Sequence, residues 1–214
     1  MGADDPYRGR PPTSHERRAG RPWDASYRDG PAPWDIGRPQ PAIVRLAGEG
    51  AFAGPVLDAG CGTGENALHL AAHGLEVVGV DVAETALSCA REQAAARGLD
   101  ADFAACDALH LERLGRRFGT VLDCGLFHGF DGHERRAYAA SLASVTGPGA
   151  TLHVLCFADA GPGPAGPHPV SEEAVRAAFT PDSGWTVARI RPDRIETRLH
   201  AQAAPAWLAE IIRA

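Results

Sequence analysis

The sequence predicts an α/β domain built on a doubly wound, mostly parallel sheet with helices on both faces, and three observations carry that expectation. From residue 55 onward, strand-like and helix-like segments alternate. A glycine-rich turn, "VLDAGCGTGEN" at 56–66, stands directly behind the first strand. Carboxylates then close the next strands, at Asp81 and Asp107. Strand and crossover helix in strict alternation build a parallel sheet covered on both sides.

Each element follows from local pattern. "PVLDAG" (55–60) reads as a buried strand, and "ENALHLAAHG" (65–74) as a helix that stops at Gly74. "LEVVGVD" (75–81) is the second strand, followed by a helix over 84–97 with Gly98 just past its end. Strand-like "ADFAACD" (101–107), a short helix near 109–115 and "GTVLDCG" (119–125) continue the rhythm. A helix over 133–146 sets Tyr138, Leu142 and Val145 on one side, and "GATLHVLCFA" (149–158) is the fifth strand. "WTVARI" (185–190) and "RIETRLHA" (194–201) have only three residues between them, too few for a parallel crossover, so they are expected to pair as an antiparallel hairpin at the edge of the sheet. A helix over 205–213 is expected to end the chain.

Upstream, residues 1–21 combine proline, glycine and charge with few apolar side chains and are expected to be disordered. Residues 22–54 read as a lid segment: Trp23 and Tyr27 are four apart, the spacing of one helical face, and Trp34 follows among prolines and glycines. Pro41 is placed to open a short helix through "AIVRLA".

Composition narrows the function. The formal net charge of −6 over 214 residues argues against a nucleic-acid surface, which needs a basic stripe, and leaves a small molecule as the expected partner. All 21 basic residues are arginine, so Schiff-base chemistry and a phosphate-cradling lysine are excluded. The five cysteines show neither CxxC spacing nor a nearby histidine pattern, so they read as reduced and no metal site is expected. With no signal peptide and no apolar run near the roughly 18 residues of a membrane span, the expectation is a cytoplasmic monomer or homodimer away from membranes.

The first strand-to-helix turn of such a sheet is where a nucleotide-like ligand docks, because backbone N–H groups and a helix N-terminus point at it. A dinucleotide fingerprint GxGxxG starting at Gly60 needs glycine at 65, where Glu65 stands. The third glycine is Gly64, giving GxGxG preceded by Asp58, which disfavours a nicotinamide-dependent oxidoreductase. Acidic residues at the ends of neighbouring strands suit a ligand carrying an amino group, a ribose and an adenine amine, and would repel a polyphosphate.

"VLDAGCGTGENALHLA", "VVGVD", "CDAL" and "VLDCGLFHGF" resemble the successive motifs of class I S-adenosylmethionine-dependent methyltransferases over roughly residues 55–158. "PWDIGRPQP" resembles the upstream motif of the branch containing thiopurine, thiol and tellurite-resistance methyltransferases and bacterial heterocycle or quinol methyltransferases. The resemblance implies a methyltransferase domain over 55–214, with a Rossmann-like seven-stranded sheet in the order 3-2-1-4-5-7-6 and its last strand antiparallel. It implies S-adenosylmethionine as cofactor and a small acceptor methylated at sulfur, nitrogen or oxygen. Asp58, Gly60, Gly62 and Gly64 would hold the methionine end, with Cys61 inside the same turn. Asp81, with Val82 beside it, would bind the ribose, and Asp107 with Ala108 the adenine. Asp123 and Cys124 would face the methionine moiety and the reacting centre. Trp34 would cover the cofactor, or else roof exposed core. A module that binds the cofactor without turnover is the competing reading.

Methyl transfer needs alignment more than a dedicated base. His128, just past the fourth strand, is placed either as a base or substrate-orienting group, or as a ring that caps the next helix or bonds the loop. His168 lies in "DAGPGPAGPHPV" (159–170), which reads as a substrate wall or as a plain surface connector. Arg38 is placed to meet an acceptor, the cofactor carboxylate or solvent.

Overall fold

The computed structural model describes residues 5–159 and 170–214. In chain order the elements are α1 (Ser14–Ala19), α2 (Pro41–Gly48), β1 (Val56–Ala59), α3 (Glu65–Ala72), β2 (Val77–Asp81), α4 (Glu84–Arg97), β3 (Asp102–Ala105), β4 (Phe118–Cys124), α5 (Gly132–Ser144), β5 (Thr146–Phe157), α6 (Glu172–Ala178), β6 (Trp185–Ile195) and β7 (Ala204–Arg213). They form one seven-stranded sheet in the order β3-β2-β1-β4-β5-β7-β6. β1 pairs in parallel with β2 and β4, β2 with β3 and β4 with β5, whereas β7 runs antiparallel to both β5 and β6. This is the expected topology.

Successive strand residues feed two different cores, as burial on both faces requires. Leu57, Val121 and Val154 join Tyr138, Leu142 and Trp185 on one side of the sheet. Their chain neighbours Val56, Leu122 and Leu155 join Ile43, Leu68 and Leu87 on the other. Among the described residues no helix is long and apolar enough to cross a membrane.

The end of the chain departs from the expectation. Residues 204–213 are strand β7, not a helix, and β6 runs unbroken from Trp185 to Ile195 through Pro192. The hairpin is β6 with β7, so its connection is 196–203 instead of the three residues 191–193. β7 is hydrogen-bonded on both sides, between β5 and β6. Its mixed run of alanine, leucine, glutamate and isoleucine looks helical in isolation, and the open edges of two strands override that propensity. Pro192 is tolerated because β6 is the outermost strand. The turn over Ala108–Leu114 is 3₁₀ and not α-helical.

The expected disorder of residues 1–21 is also corrected from Asp5 onward. α1 starts with a full capping box in which Thr13 and Glu16 satisfy each other's backbone N–H groups. Glu16 is completely buried, paired with Arg10 and bonded by the Trp23 N–H at 2.9 Å. Burial alone would raise its carboxyl, but Arg10 and the N–H groups of Thr13 and Trp23 outweigh burial and hold it below the ordinary range. Ser14 bonds Glu134 at the start of α5 through both its N–H (2.7 Å) and its hydroxyl (2.5 Å). Polar pairing therefore orders a segment whose apolar content is too low to do so.

Trp185, at the start of β6, is fully buried, meets Phe179 edge-on and donates its indole N–H to the Ala139 carbonyl at 3.0 Å. Trp185→Ala is expected to cost about 3–5 kcal/mol in urea unfolding, through the cavity and the orphaned carbonyl.

Candidate active site

At the carboxyl edge of the sheet lies a cavity of about 680 Å³, within the range of small-molecule sites. Its floor is formed by the turns after β1, β2, β3 and β4: Gly60, Cys61, Gly62 and Thr63; Asp81 and Val82; Asp107 and Ala108; Cys124, Gly125 and His128. Of the residues expected to hold a cofactor, Asp58, Gly64 and Asp123 do not reach the lining and stand one layer behind it.

Their positions explain them. Gly64 is the N-cap of α3 at φ +82°, and a Cβ there would sit 2.8 Å from Phe103 Cζ and 2.9 Å from Ala90 Cβ. Its missing side chain serves packing, not a ligand. At Gly62, also at positive φ, a Cβ would come within 3.0 Å of the Tyr27 hydroxyl, so this turn is pressed against the lid. Asp123 accepts the N–H groups of Leu126 (3.0 Å) and Phe127 (3.2 Å) and shapes the loop that carries His128. Asp81 accepts Gly62 N–H and Ala83 N–H, each at 2.9 Å, and so ties the turn after β1 to the end of β2. Asp107 caps the following turn through Leu109 N–H at 3.0 Å.

The floor is electrostatically one-sided. Asp58 is buried with Oδ2 lacking a hydrogen-bond partner, and burial, then Asp123, then Asp81 push its carboxyl up to about 7. Burial likewise pushes Asp123 up to about 7 against its backbone hydrogen bonds, and raises Asp81. Among the described residues no cationic side chain acts on Asp58 or Asp123. Such a set of carboxyls attracts a cationic ligand and repels phosphate. A cofactor with an ammonium and a sulfonium fits it. Burial also raises the Cys61 and Cys124 thiols, which stay protonated and are not nucleophiles.

The roof comes from three chain segments. The lid supplies Trp23, Tyr27 and Trp34. Trp34 meets the other two rings edge-on at 5.5 and 6.0 Å and donates its indole N–H to the Tyr27 hydroxyl at 2.8 Å. The N-terminal segment adds Arg10, Thr13 and His15, whose ring stacks on Trp23 at 4.4 Å. The β6–β7 loop adds Thr197, Leu199 and His200. Arg38, expected to meet an acceptor, the cofactor carboxylate or solvent, lines the cavity and is ion-paired with Glu196 of this loop. Gln40 exchanges two 2.9 Å bonds with the backbone of Glu196. The contributions of the N-terminus and the β6–β7 loop were missed in sequence. The signal for the second lay in strand direction: β6 runs parallel to β5, so its exit must fall at the ligand edge.

His128 is buried, stacks on Phe157 at 4.6 Å and accepts the Phe157 N–H on Nδ1 at 3.1 Å. A backbone N–H can only donate, so the neutral ring carries its proton on Nε2. In that tautomer Nε2–H is a donor, and the ring's lone pair on Nδ1 is already engaged by the Phe157 N–H. The other expected catalytic histidine, His168, lies outside the described residues.

Asp58 generates a stability prediction. Its folded-state carboxyl at about 7 stands above the unfolded value of about 3.9, so between those values the folded chain holds more protons. The group's contribution is therefore lost as pH rises through that window. Asp58→Asn is expected to raise the melting temperature at pH 8 by about 3 °C or more, with the gain shrinking toward about pH 5. Calorimetry across that range checks it, and a variant less stable at pH 8 contradicts the charge cluster.

Comparison with known proteins gives the same picture. The family described as methyltransferase domain matches residues 56–149. The 2-heptyl-1-hydroxyquinolin-4(1H)-one methyltransferase of Mycobacteroides abscessus is 41% identical over 192 residues, covering 88% of this chain and 78% of that one. A solved chain from work on the conversion of a disulfide bond into a thioacetal group during echinomycin biosynthesis is 40% identical, with a TM-score of 0.81 and 89% of each chain covered. Magnesium protoporphyrin IX methyltransferase from Synechocystis, solved with bound S-adenosylmethionine, is 26% identical at a TM-score of 0.61, covering 81% of this chain and 76% of that one. A sheet of this order, a carboxylate floor suited to a cation and a relative of this identity over most of both chains make the protein a member of the S-adenosylmethionine-dependent methyltransferases.

Proposed function

We propose that this enzyme methylates a heteroatom on a planar aromatic acceptor, a hydroxylated nitrogen heterocycle or related phenol. The observation that carries the reading is the wall of flat rings around the cavity: Trp23, Trp34, Phe130 and Phe157, with His128 set among them. Flat rings favour a flat ligand by stacking and apolar burial, and exclude water from the reacting centre. The hydroxyquinolone named for the M. abscessus relative is a ligand of this shape.

The bound cofactor supplies an activated methyl group on a cationic sulfur. Asp81 is assigned to its ribose, Asp107 with Ala108 to its adenine, and the backbone of Gly60, Cys61 and Gly62 to its amino-acid end. Asp58 and Asp123 act from behind the lining, through their field. His128 donates from Nε2 and holds the acceptor for in-line attack. A sulfur acceptor is the second reading, favoured by the 40% identity to the chain solved in work on the conversion of a disulfide bond into a thioacetal group. The same reading keeps the enzyme in the cytoplasm as a monomer or homodimer, without membrane or nucleic-acid partners.

A product assay by mass spectrometry over hydroxyquinolones, phenols, aryl thiols and aliphatic thiols tests the acceptor class. Planar hydroxylated heterocycles are expected to exceed aliphatic thiols at least tenfold in kcat/KM, about 1.4 kcal/mol, and the reverse order overturns the reading.

Cofactor binding carries two further expectations. Asp81→Ala should weaken S-adenosylhomocysteine by about tenfold or more, about 1.4 kcal/mol. Because a ligand ammonium favours the ionised carboxyls, binding should release protons and tighten by up to about tenfold from pH 6 to pH 8. Titration calorimetry in buffers of differing ionisation heat reads both, and an affinity independent of pH contradicts the role of the Asp58–Asp123 pair.

A further inference from the structure

If the acceptor is a hydroxylated ring, its proton has to leave, and the lone pair of His128 is already engaged by the Phe157 N–H. Among the described residues, the carboxyl groups and other candidate bases at the cavity already have partners, Glu65 by pairing with Arg97. Asp81 and Asp107 are bonded by backbone N–H groups of the floor. Asp35 receives the Thr63 hydroxyl and the Gly37 N–H, each at 2.9 Å. Burial pushes the Tyr27 phenol well above its usual value, so it stays protonated. His15 lies flat against Trp23.

His200 differs in one respect. It lines the cavity from the β6–β7 loop, and its Nδ1 lies 2.9 Å from the Thr197 hydroxyl. A hydroxyl both donates and accepts, so this partner permits the tautomer with the proton on Nδ1, which the backbone partner of His128 forbids. In that tautomer Nε2 carries a lone pair. When Nε2 gains a proton, the Nδ1–H continues to donate to Thr197 Oγ1, so the charged ring keeps its hydrogen bond. Thr197 is itself fixed by the Leu199 N–H at 3.2 Å. The loop is held against the lid by Arg38–Glu196, by the Gln40–Glu196 exchange and by the Arg198 N–H on the Pro33 carbonyl at 2.8 Å.

We propose that His200, oriented by Thr197, is the base that receives the acceptor's proton. This rests on the methyl-transfer reading above and adds to it the proton's destination. As the acceptor oxygen forms its bond to the methyl carbon, the carbon–sulfur bond breaks and its electron pair stays on sulfur. The acceptor proton passes to His200 Nε2 and from there to water.

The test is a series of substituted phenols and hydroxyquinolones whose pKa values run from about 6 to about 10, with aryl thiols at the acidic end. His200→Gln should lower kcat about 100-fold for the least acidic acceptors and less than about threefold for those already ionised at the assay pH. Thr197→Val should show the same dependence at about a tenth of the size. A second readout needs no turnover: a chromophoric phenol bound beside S-adenosylhomocysteine should show phenolate absorbance in the wild type at a lower pH than in His200→Gln. S-adenosylhomocysteine affinity should be equal in all variants. A loss independent of acceptor pKa, no loss, or the same dependence in His15→Gln in place of His200→Gln overturns the assignment. Absence of any methylated product in the wild type sinks the parent reading instead, and the two failures are thereby distinct.

Discussion

Parallel strands deliver their carboxyl ends side by side, and here three of those ends carry aspartates: Asp58 on β1 and Asp123 on β4, both buried, and the half-buried Asp81 on β2. Carboxylates crowded out of water repel one another and resist ionisation. The chain answers part of this cost with backbone N–H groups, and in doing so builds the site. The bonds to Asp81 set the turn over Gly62 and Ala83, while those to Asp123 set the turn over Leu126 and Phe127. Asp58 is left with one oxygen unpartnered. The field that draws a cation and the loops that contact it thus have a common origin, so neither can be altered alone.

A floor of this kind works only under a roof, because water in the cavity would screen the field. The roof is assembled by polar pairing between segments far apart in sequence: α1 on α5 through Glu134, the lid on the β6–β7 loop through Glu196, and the lid on α3 through the Gln40 N–H on Asn66 at 2.9 Å. Those contacts leave the aromatic side chains of the lid facing inward while their backbone is anchored elsewhere. Trp34 remains 37% exposed and Leu199 69% exposed. Both line the cavity, so its mouth is apolar where its floor is charged. A cavity of this polarity suits an acceptor whose apolar part lies toward the mouth and whose polar atom lies toward the floor.

The floor and the aromatic lid were legible in sequence and the rest of the roof was not, for a physical reason. Strand-and-helix periodicity and a glycine turn are local patterns, and β1 through β5 follow from them with the ends of α4 placed to the residue. β7 is decided by two neighbours across the sheet, which no window over 204–213 contains. The N-terminal segment is decided by an Arg10–Glu16 pair and a capping box, which composition counts as mere polarity. Site chemistry divides in the same way. Asp81, Asp107 and the turn at Gly60–Gly62 lie where strand order puts them, while Gly64 shows that a motif residue can be fixed by packing against Phe103.

The two histidines that line the cavity, one just past β4 and one in the β6–β7 loop, show why a regular scaffold suits one task and an irregular loop another. His128 sits where β4 ends, and the backbone of β5 supplies its partner, so its tautomer is set by the sheet itself. A donor fixed in this way needs no reorganisation as charge develops, which is what orientation and electrostatic preorganisation require. Proton uptake asks for the opposite, a ring free to exist in either tautomer and stable in the charged form. Every main-chain N–H or carbonyl dictates one tautomer, whereas a hydroxyl does not. A side-chain hydroxyl within reach of a ring is most easily supplied inside one short loop, as Thr197 is for His200 three residues on. The placement of the rigid donor on the sheet and the adaptable pair on the β6–β7 loop follows from hydrogen-bond chemistry alone.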